Sequence, residues 1–228
     1  FIKAVDDTAL IEMTNAVMRV VVSDALVTRA AVTSTVTNGD FSSATGWTLA
    51  TTGGATANIN SAVSGALYMA APNRGTTASC VRSVTTTSAG TEHALRIEVT
   101  RGPVVFRCGS SSGGDEYITE TTLETGAHSL SFTPTGNFYV RFRNPMTRQV
   151  LVASIAVASS GVMSLTTAFT ASDLSNLRYD QSGDVVFLAC DGFQQTRIER
   201  RSSTSWSVVK YRPEDGPFRI QNIDESLT

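Results

Sequence analysis

Apolar and polar residues alternate one for one in short runs along most of this chain. Leu95, Ile97 and Val99 share one side of a run whose other side carries Arg96 and Glu98. Val104, Phe106 and Cys108 alternate with Val105 and Arg107, and Phe138, Val140 and Phe142 alternate with Tyr139, Arg141 and Arg143. A period of two is that of a β-strand with one face buried. Breaks rich in turn formers separate the runs at Thr52-Gly-Gly54, Pro72-Asn-Arg-Gly75, Ser110 to Asp115 and Thr133-Pro-Thr-Gly136. No stretch carries the period of a long helix.

The pattern divides into three zones. From Phe1 to about Thr33, short strands are predicted over Ala9–Met13, Ala16–Val22 and Ala25–Val32, with tight turns at Asn15 and Ser23-Asp24. Residues 34–161 hold roughly eight strands at the spacing of a β-sandwich, which predicts a jelly roll closed by Leu151–Val157. Residues 162–228 return to the first style. Strands are expected at Asp184–Ala189, Gln195–Arg200 and Trp206–Tyr211, and a short helical turn capped by Ser172 over Ala171–Leu177.

Composition supports sheet and removes several functions. The 228 residues carry 17% charged side chains and a formal net charge of −2, so no global field favours nucleic acid. No apolar stretch approaches the roughly 18 residues that cross a bilayer, so membrane insertion is not expected. The chain opens without Met inside a strand-like run, Phe1 to Val5, which reads as a fragment or processed product of a longer protein. Three widely spaced cysteines, Cys80, Cys108 and Cys190, fit neither a zinc knuckle nor a disulfide scaffold and read as thiols of a protein folded in a reducing cytoplasm.

The third zone carries a resemblance. Asp173-Leu-Ser-Asn-Leu-Arg-Tyr-Asp-Gln-Ser-Gly-Asp-Val-Val-Phe-Leu188, Thr196-Arg-Ile-Glu-Arg200 and Ser203-Thr-Ser-Trp-Ser207 together resemble a segment of phage and prophage tail proteins of the tail tubular, or nozzle, kind. Tyr179, Gln181, Ser182, Asp184 and Trp206 carry the likeness, and the hairpin around Met18-Arg19-Val20 resembles the one that precedes this element in the family. Residues 34–161 then stand where the family connects the two almost directly. The resemblance implies that they form an inserted domain, that 1–33 and 162–228 make one discontinuous β-rich unit of meander, barrel or propeller-like form, and that 9–32 and 184–211 share a sheet. It further implies a non-enzymatic virion component, assembled in the bacterial cytoplasm, whose partners are other tail proteins and copies of itself. The expected fold class is therefore all-β, a jelly-roll sandwich inserted into a second β-rich unit. Residues 34–161 in turn resemble the galactose-binding-like jelly rolls of carbohydrate-binding modules through Asn38-Gly-Asp-Phe41, Gly46-Trp47, Leu95–Thr100 and Tyr139–Phe142. That likeness implies host-surface glycan as a ligand. It also makes Asp40 a weak candidate for a structural calcium, since Ala153-Ser154 stands where an acidic residue is common; no other cofactor or metal is expected.

Gly109-Ser-Ser-Ser-Gly113 spells the nucleophile elbow, but that motif needs a strand, a strained turn and a helix, and the residues after it read as a strand. Asp115, Glu116, Glu120 and Glu124 read as solvated charges, not a glycosidase pair. His93 and His128 form no ligand spacing, and His93 after a turn is expected at the surface. Phe41 and Trp47 read as core. The candidate ligand face is Arg96, Glu98, Tyr139, Arg141 and Arg143, which stand opposite the apolar sides of their strands and would make one polar surface if those strands are neighbours. The function these readings support is a phage-tail structural protein with a surface carbohydrate-binding module; the alternative is a tail-associated glycan depolymerase or glycosidase.

Overall fold

The computed structural model describes residues 2–4, 7–59 and 65–212, and across them the protein is all β. Residues 213–228, the end of the unit expected over 162–228, lie outside the described residues. Strands β1 (Ile2–Ala4), β2 (Asp7–Thr14), β3 (Val17–Val22), β4 (Ala25–Leu26) and β5 (Thr28–Arg29) come first. Ser23 and Asp24 both take positive φ, 50° and 60°, which is what a two-residue turn between right-twisted strands requires. There follow β6 (Thr48–Thr51), β7 (Thr56–Asn58), β8 (Leu67–Ala70), β9 (Ala78–Val84), β10 (His93–Arg101), β11 (Val104–Gly109), β12 (Ile118–Leu123), β13 (Gly126–Phe132), β14 (Phe138–Asn144) and β15 (Gln149–Val157). The last group is β16 (Gly161–Val162), β17 (Leu165–Thr166), β18 (Arg178–Ser182), β19 (Val185–Ala189), β20 (Thr196–Arg200) and β21 (Trp206–Lys210). Among the described residues the one helical element is a 3-10 turn at Leu174–Asn176. Its N-cap is Asp173, not Ser172, and it makes no side-chain cap. Instead the Asp173 carboxylate accepts from the Thr170 amide and hydroxyl, bracing the approach to the turn.

Residues 36–155 enclose one apolar core between two antiparallel sheets. One sheet runs β12-β11-β14-β9-β6; the other presents β13-β10-β15-β8-β7. Alternation supplies the filling: Leu95, Ile97 and Val99 from one sheet meet Phe106, Cys108, Phe138, Val140 and Phe142 from the other, all fully buried. Ring pairs line this core, Phe106 and Phe142 within one sheet and Phe132 and Phe138 between the two, both 5.0 Å between centroids. The loop at Asn38–Trp47 seals one side. Gly39 is held there by close approach, because a Cβ would overlap the Ile155 carbonyl, while the Gly39 carbonyl accepts from the Ile155 amide at 2.7 Å.

The second of these sheets does not stop at β13. Strand β21 pairs with β13, from Gly126 opposite Val209 to Ser129 opposite Trp206, and the sheet continues through β20 and β19 to β18, nine strands in all. Gly126 sits at this seam with φ +144°, and a Cβ would strike the Val208 carbonyl. A second core lies on the other face of the extension: Met18, Val20, Val27, Met163, Leu165 and Phe169 pack on Ala127, Val186, Leu188, Ile198, Trp206 and Val208. The expectation that 9–32 and 184–211 share a sheet is corrected here. Among the described residues β3 pairs with β17 and β5 with β16, and these short strands lie face to face on the long sheet instead of extending it. Arg29 ties the parts together. Its buried guanidinium donates to Ser129 Oγ on β13 and to the Thr204 carbonyl, both at 2.7 Å, and stands 3.6 Å from Glu92.

Candidate ligand-binding face

Strand β14 lies in the middle of the five-stranded sheet, between β11 and β9. Its alternation is clean: Phe138, Val140 and Phe142 are fully buried, and Tyr139, Arg141 and Arg143 are half-buried on the outer face. The register places Ser83 and Gly109 on either side of Tyr139, Val81 and Arg107 beside Arg141, and Ser79 and Val105 beside Arg143. Arg107 therefore stands directly opposite Arg141, a like-charge cross-strand pair. One carboxylate answers this cluster. Glu120, on edge strand β12, lies 2.8 Å from the Arg143 guanidinium and 3.6 Å from that of Arg107. Among the described residues Arg141 makes no ion pair, and its buried Nε has no hydrogen-bond acceptor. Burial lowers its pKa first, with Arg107 and Arg143 adding to the shift and Glu120 opposing it.

The Ser/Gly loop that spells the nucleophile elbow borders this face. Beyond Gly109 the chain turns, with the Glu116 carboxylate accepting from the Ser110 amide, and Gly114 and Glu116 lie over Gly109 at the tyrosine end. The chain then enters β12, not a helix. Asp115 accepts from the Glu120 amide. Arg107, Glu116 and Glu120 thus belong to the face, whereas the sequence pattern leaves Arg107 out of the ligand face and reads Glu116 and Glu120 as solvated charges. The signal for Arg107 was present, since it alternates with Phe106 and Cys108 as Arg141 does with Val140 and Phe142.

Arg96 and Glu98 are not part of it. Strand β10 lies in the opposite sheet, so the candidate set splits between the two broad sides of the sandwich. Strands β10 and β14 are not neighbours, and one shared surface cannot form. The face carrying Arg96 and Glu98 looks toward the second core: Arg96 donates to Thr166 Oγ1 on β17 at 2.9 Å, and Glu98 stands opposite Ala127, a member of that core. Burial raises the Glu98 pKa, with Arg96 acting against it.

Asp40 does not fit a calcium site. Its carboxylate accepts from both the amide and the hydroxyl of Ser42, which depresses its pKa and makes it a brace of its own turn. Among the described residues no three His, Cys, Asp or Glu side chains gather, whereas calcium takes six to eight oxygen ligands. Trp47 packs in the core, 5.0 Å from Phe41, with its indole N–H donated to the Asn38 carbonyl and Arg82 over its ring.

Both histidines are buried, which corrects the surface position expected for His93. That ring is 1% exposed, hydrogen-bonded to Ser34 Oγ and the Thr91 carbonyl, and packed against Phe132 and Phe138. His128 is shared between Ser207 Oγ and the Glu124 carbonyl, and burial pulls its pKa down to about 3. Cys80 and Cys108 flank β14 as free buried thiols; burial raises both, Cys80 to about 12. Neither is a poised nucleophile. Among the described residues no helix is long and apolar enough to cross a membrane. No protein-family model matches the chain, and no curated protein matches it in sequence.

Proposed function

We propose that the protein is a non-catalytic structural component of a phage tail whose sandwich grips host-surface carbohydrate through the outer face of its five-stranded sheet. The observation that carries the binding half is the placement of Tyr139, Arg141 and Arg143 side by side on that face, over a fully buried row of Phe138, Val140 and Phe142. An aromatic ring beside guanidinium groups offers a stacking surface and directional donors, which is what sugar rings with their hydroxyls and acids require.

The strand order supports the jelly-roll reading. From β8 to β15 successive strands alternate between the rows β8-β15-β10-β13 and β9-β14-β11-β12, apart from the β11-β12 hairpin, which stays in one sheet, the arrangement produced by folding a long hairpin over on itself. The tail assignment rests on the resemblance of 173–188, 196–200 and 203–207, whose residues fall on β18 to β21 and the turn before them. In this reading 1–33 and 162–228 belong to the tail scaffold, contacting other tail proteins and further copies of the chain, and 34–161 decorates its exterior. A glycan array probed with the chain and with Tyr139→Ala tests the binding half. Specific spots that fade in the variant support it, and a blank array refutes it. Immunogold labelling of purified virions tests the other half, and label confined to unassembled protein in infected cells would refute it.

A further inference from the structure

We infer that the outer face of the five-stranded sheet selects acidic sugars, with Arg141 holding the acid group, Arg107 and Arg143 flanking it, and Tyr139 stacking the ring. This rests on the glycan-binding reading and adds a chemical class to it. Three guanidinium groups converge on this face, and among the described residues the carboxylate paired with them is Glu120, 2.8 Å from Arg143 and 3.6 Å from Arg107. Arg141 is left with like charge opposite it and like charge two residues along its strand. A folded sheet gains nothing from that arrangement, since like charges directly across strands destabilise it and an acidic residue at 141 would relieve it. Local rules broken in this way are expected at functional sites. An anion suits this place, because a negative, planar acceptor matches the Arg141 guanidinium fork and offsets the like charge of Arg107 and Arg143.

Geometry favours sugar acids over nucleic acid. Tyr139 and Arg141 are two residues apart on one face, so ring and guanidinium are separated by roughly 7 Å along the strand. A pyranose stacked on the tyrosine can thus direct a carboxylate on its own ring or its neighbour's at Arg141. A nucleic acid draws its affinity from many phosphate contacts along a basic track. This chain has a net charge of −2, and the cluster ends at Glu116 and Glu120.

The experiment is a calorimetric titration of the purified chain with oligogalacturonate, with its methyl ester, which is the same sugar without charge, and with a single-stranded oligodeoxynucleotide of matched charge; an array of sialylated and sulfated glycans runs beside it. At least a tenfold preference for acid over ester is expected in one of these acidic series. Arg141→Gln should bring that ratio near one while the ester still binds. Arg141→Glu should abolish acid binding and raise the melting temperature by roughly 1–3 °C, because a carboxylate then faces Arg107. Equal affinity for acid and ester, lost in Tyr139→Ala, overturns charge selection and leaves the glycan reading standing. Tighter binding of the oligonucleotide overturns the inference in favour of nucleic acid. No binding to any glycan overturns both.

Discussion

Truncating neighbours on β14 separates the two faces of the sandwich in one experiment. Phe142 is fully buried, 5.0 Å from the ring of Phe106 and 6.3 Å from that of Phe41, and its backbone is paired on both sides, to Phe106 and to Cys80. Phe142→Ala loses about 2–3 kcal/mol of transfer free energy for a fully buried aromatic side chain. It also opens a cavity that a central strand cannot collapse, which brings the total to roughly 4 kcal/mol, inside the usual span of about 3–5. For a chain of this size that corresponds to a fall of roughly 10 °C in melting temperature. Tyr139→Ala, three positions away and on the outer face, should cost less than about 1 kcal/mol of stability. It should instead weaken glycan binding by about 1–2 kcal/mol, a factor of roughly 5–30. Thermal unfolding followed by circular dichroism, together with affinity for whichever glycan the array identifies, reads both quantities. If Tyr139→Ala unfolds the protein and Phe142→Ala leaves it intact, the sheet has been read inside out and the proposed face is wrong.

Three further outcomes follow from buried groups. His128 is neutral in the fold with a pKa near 3, against ~6.5 when unfolded, so the unfolded chain takes up the proton first. Its contribution is complete above about pH 6.5 and falls by about 1.4 kcal/mol per pH unit toward pH 3; urea unfolding at pH 7 and 5 should differ by roughly 2 kcal/mol more in the native chain than in His128→Gln, and equal slopes would refute this. Arg29→Ala should cost about 3 kcal/mol, since it strips donors from Ser129 and the Thr204 carbonyl and leaves a cavity, whereas Arg29→Met, which keeps the stem, should lose less; equal midpoints for the two variants would count against it. Gly39→Ala should destabilise by more than about 2 kcal/mol, because its methyl group meets backbone that cannot move aside, and a melting temperature within a degree of the native value would rule out the close approach.

Facing within a strand was legible in the sequence, while partnership between strands was not. The alternation of 95–99, 104–108 and 138–143 assigned inner and outer residues correctly on β10, β11 and β14, because side-chain direction follows from the strand's own period. That period is blind to which sheet a strand joins. Periodicity alone therefore groups Arg96 and Glu98 with Tyr139, although β10 and β14 lie in different layers, a matter settled by long-range pairing. The alternation of 104–108 turns Arg107 outward, but its place opposite Arg141 comes from pairing alone. Polarity after a turn predicts a surface position for His93. Its burial depends on Ser34, 59 positions away, and on two phenylalanines of distant strands, none of which local pattern could bring to it.

The seam between β13 and β21 shows why the sheet's continuation escaped a reading by periodicity. A strand covered on both faces ordinarily reads as an unbroken apolar run. Strand β13 reads Gly126-Ala-His-Ser-Leu-Ser-Phe132, with Leu130 and Phe132 on the side of the first core and the small or polar Ala127, Ser129 and Ser131 on the other, like a strand with one wet face. That second side is covered all the same, by hydrogen-bonding groups at Ser129 and Ser131. The Ser129 hydroxyl accepts from Arg29, and Ser131 meets Thr204 and Ser205. Polar coverage of this kind leaves no hydrophobic signature in the sequence, yet it fastens the sandwich to its neighbour with partners that must all be in register. It also assigns the two broad sides different tasks. The outer surface of β10 and β13 is spent on attachment, through Arg29, Thr166 and Ala127. The broad side left to solvent is that of the five-stranded sheet, where Tyr139 and the three arginines lie, so attachment and the proposed grip stand back to back across a single core.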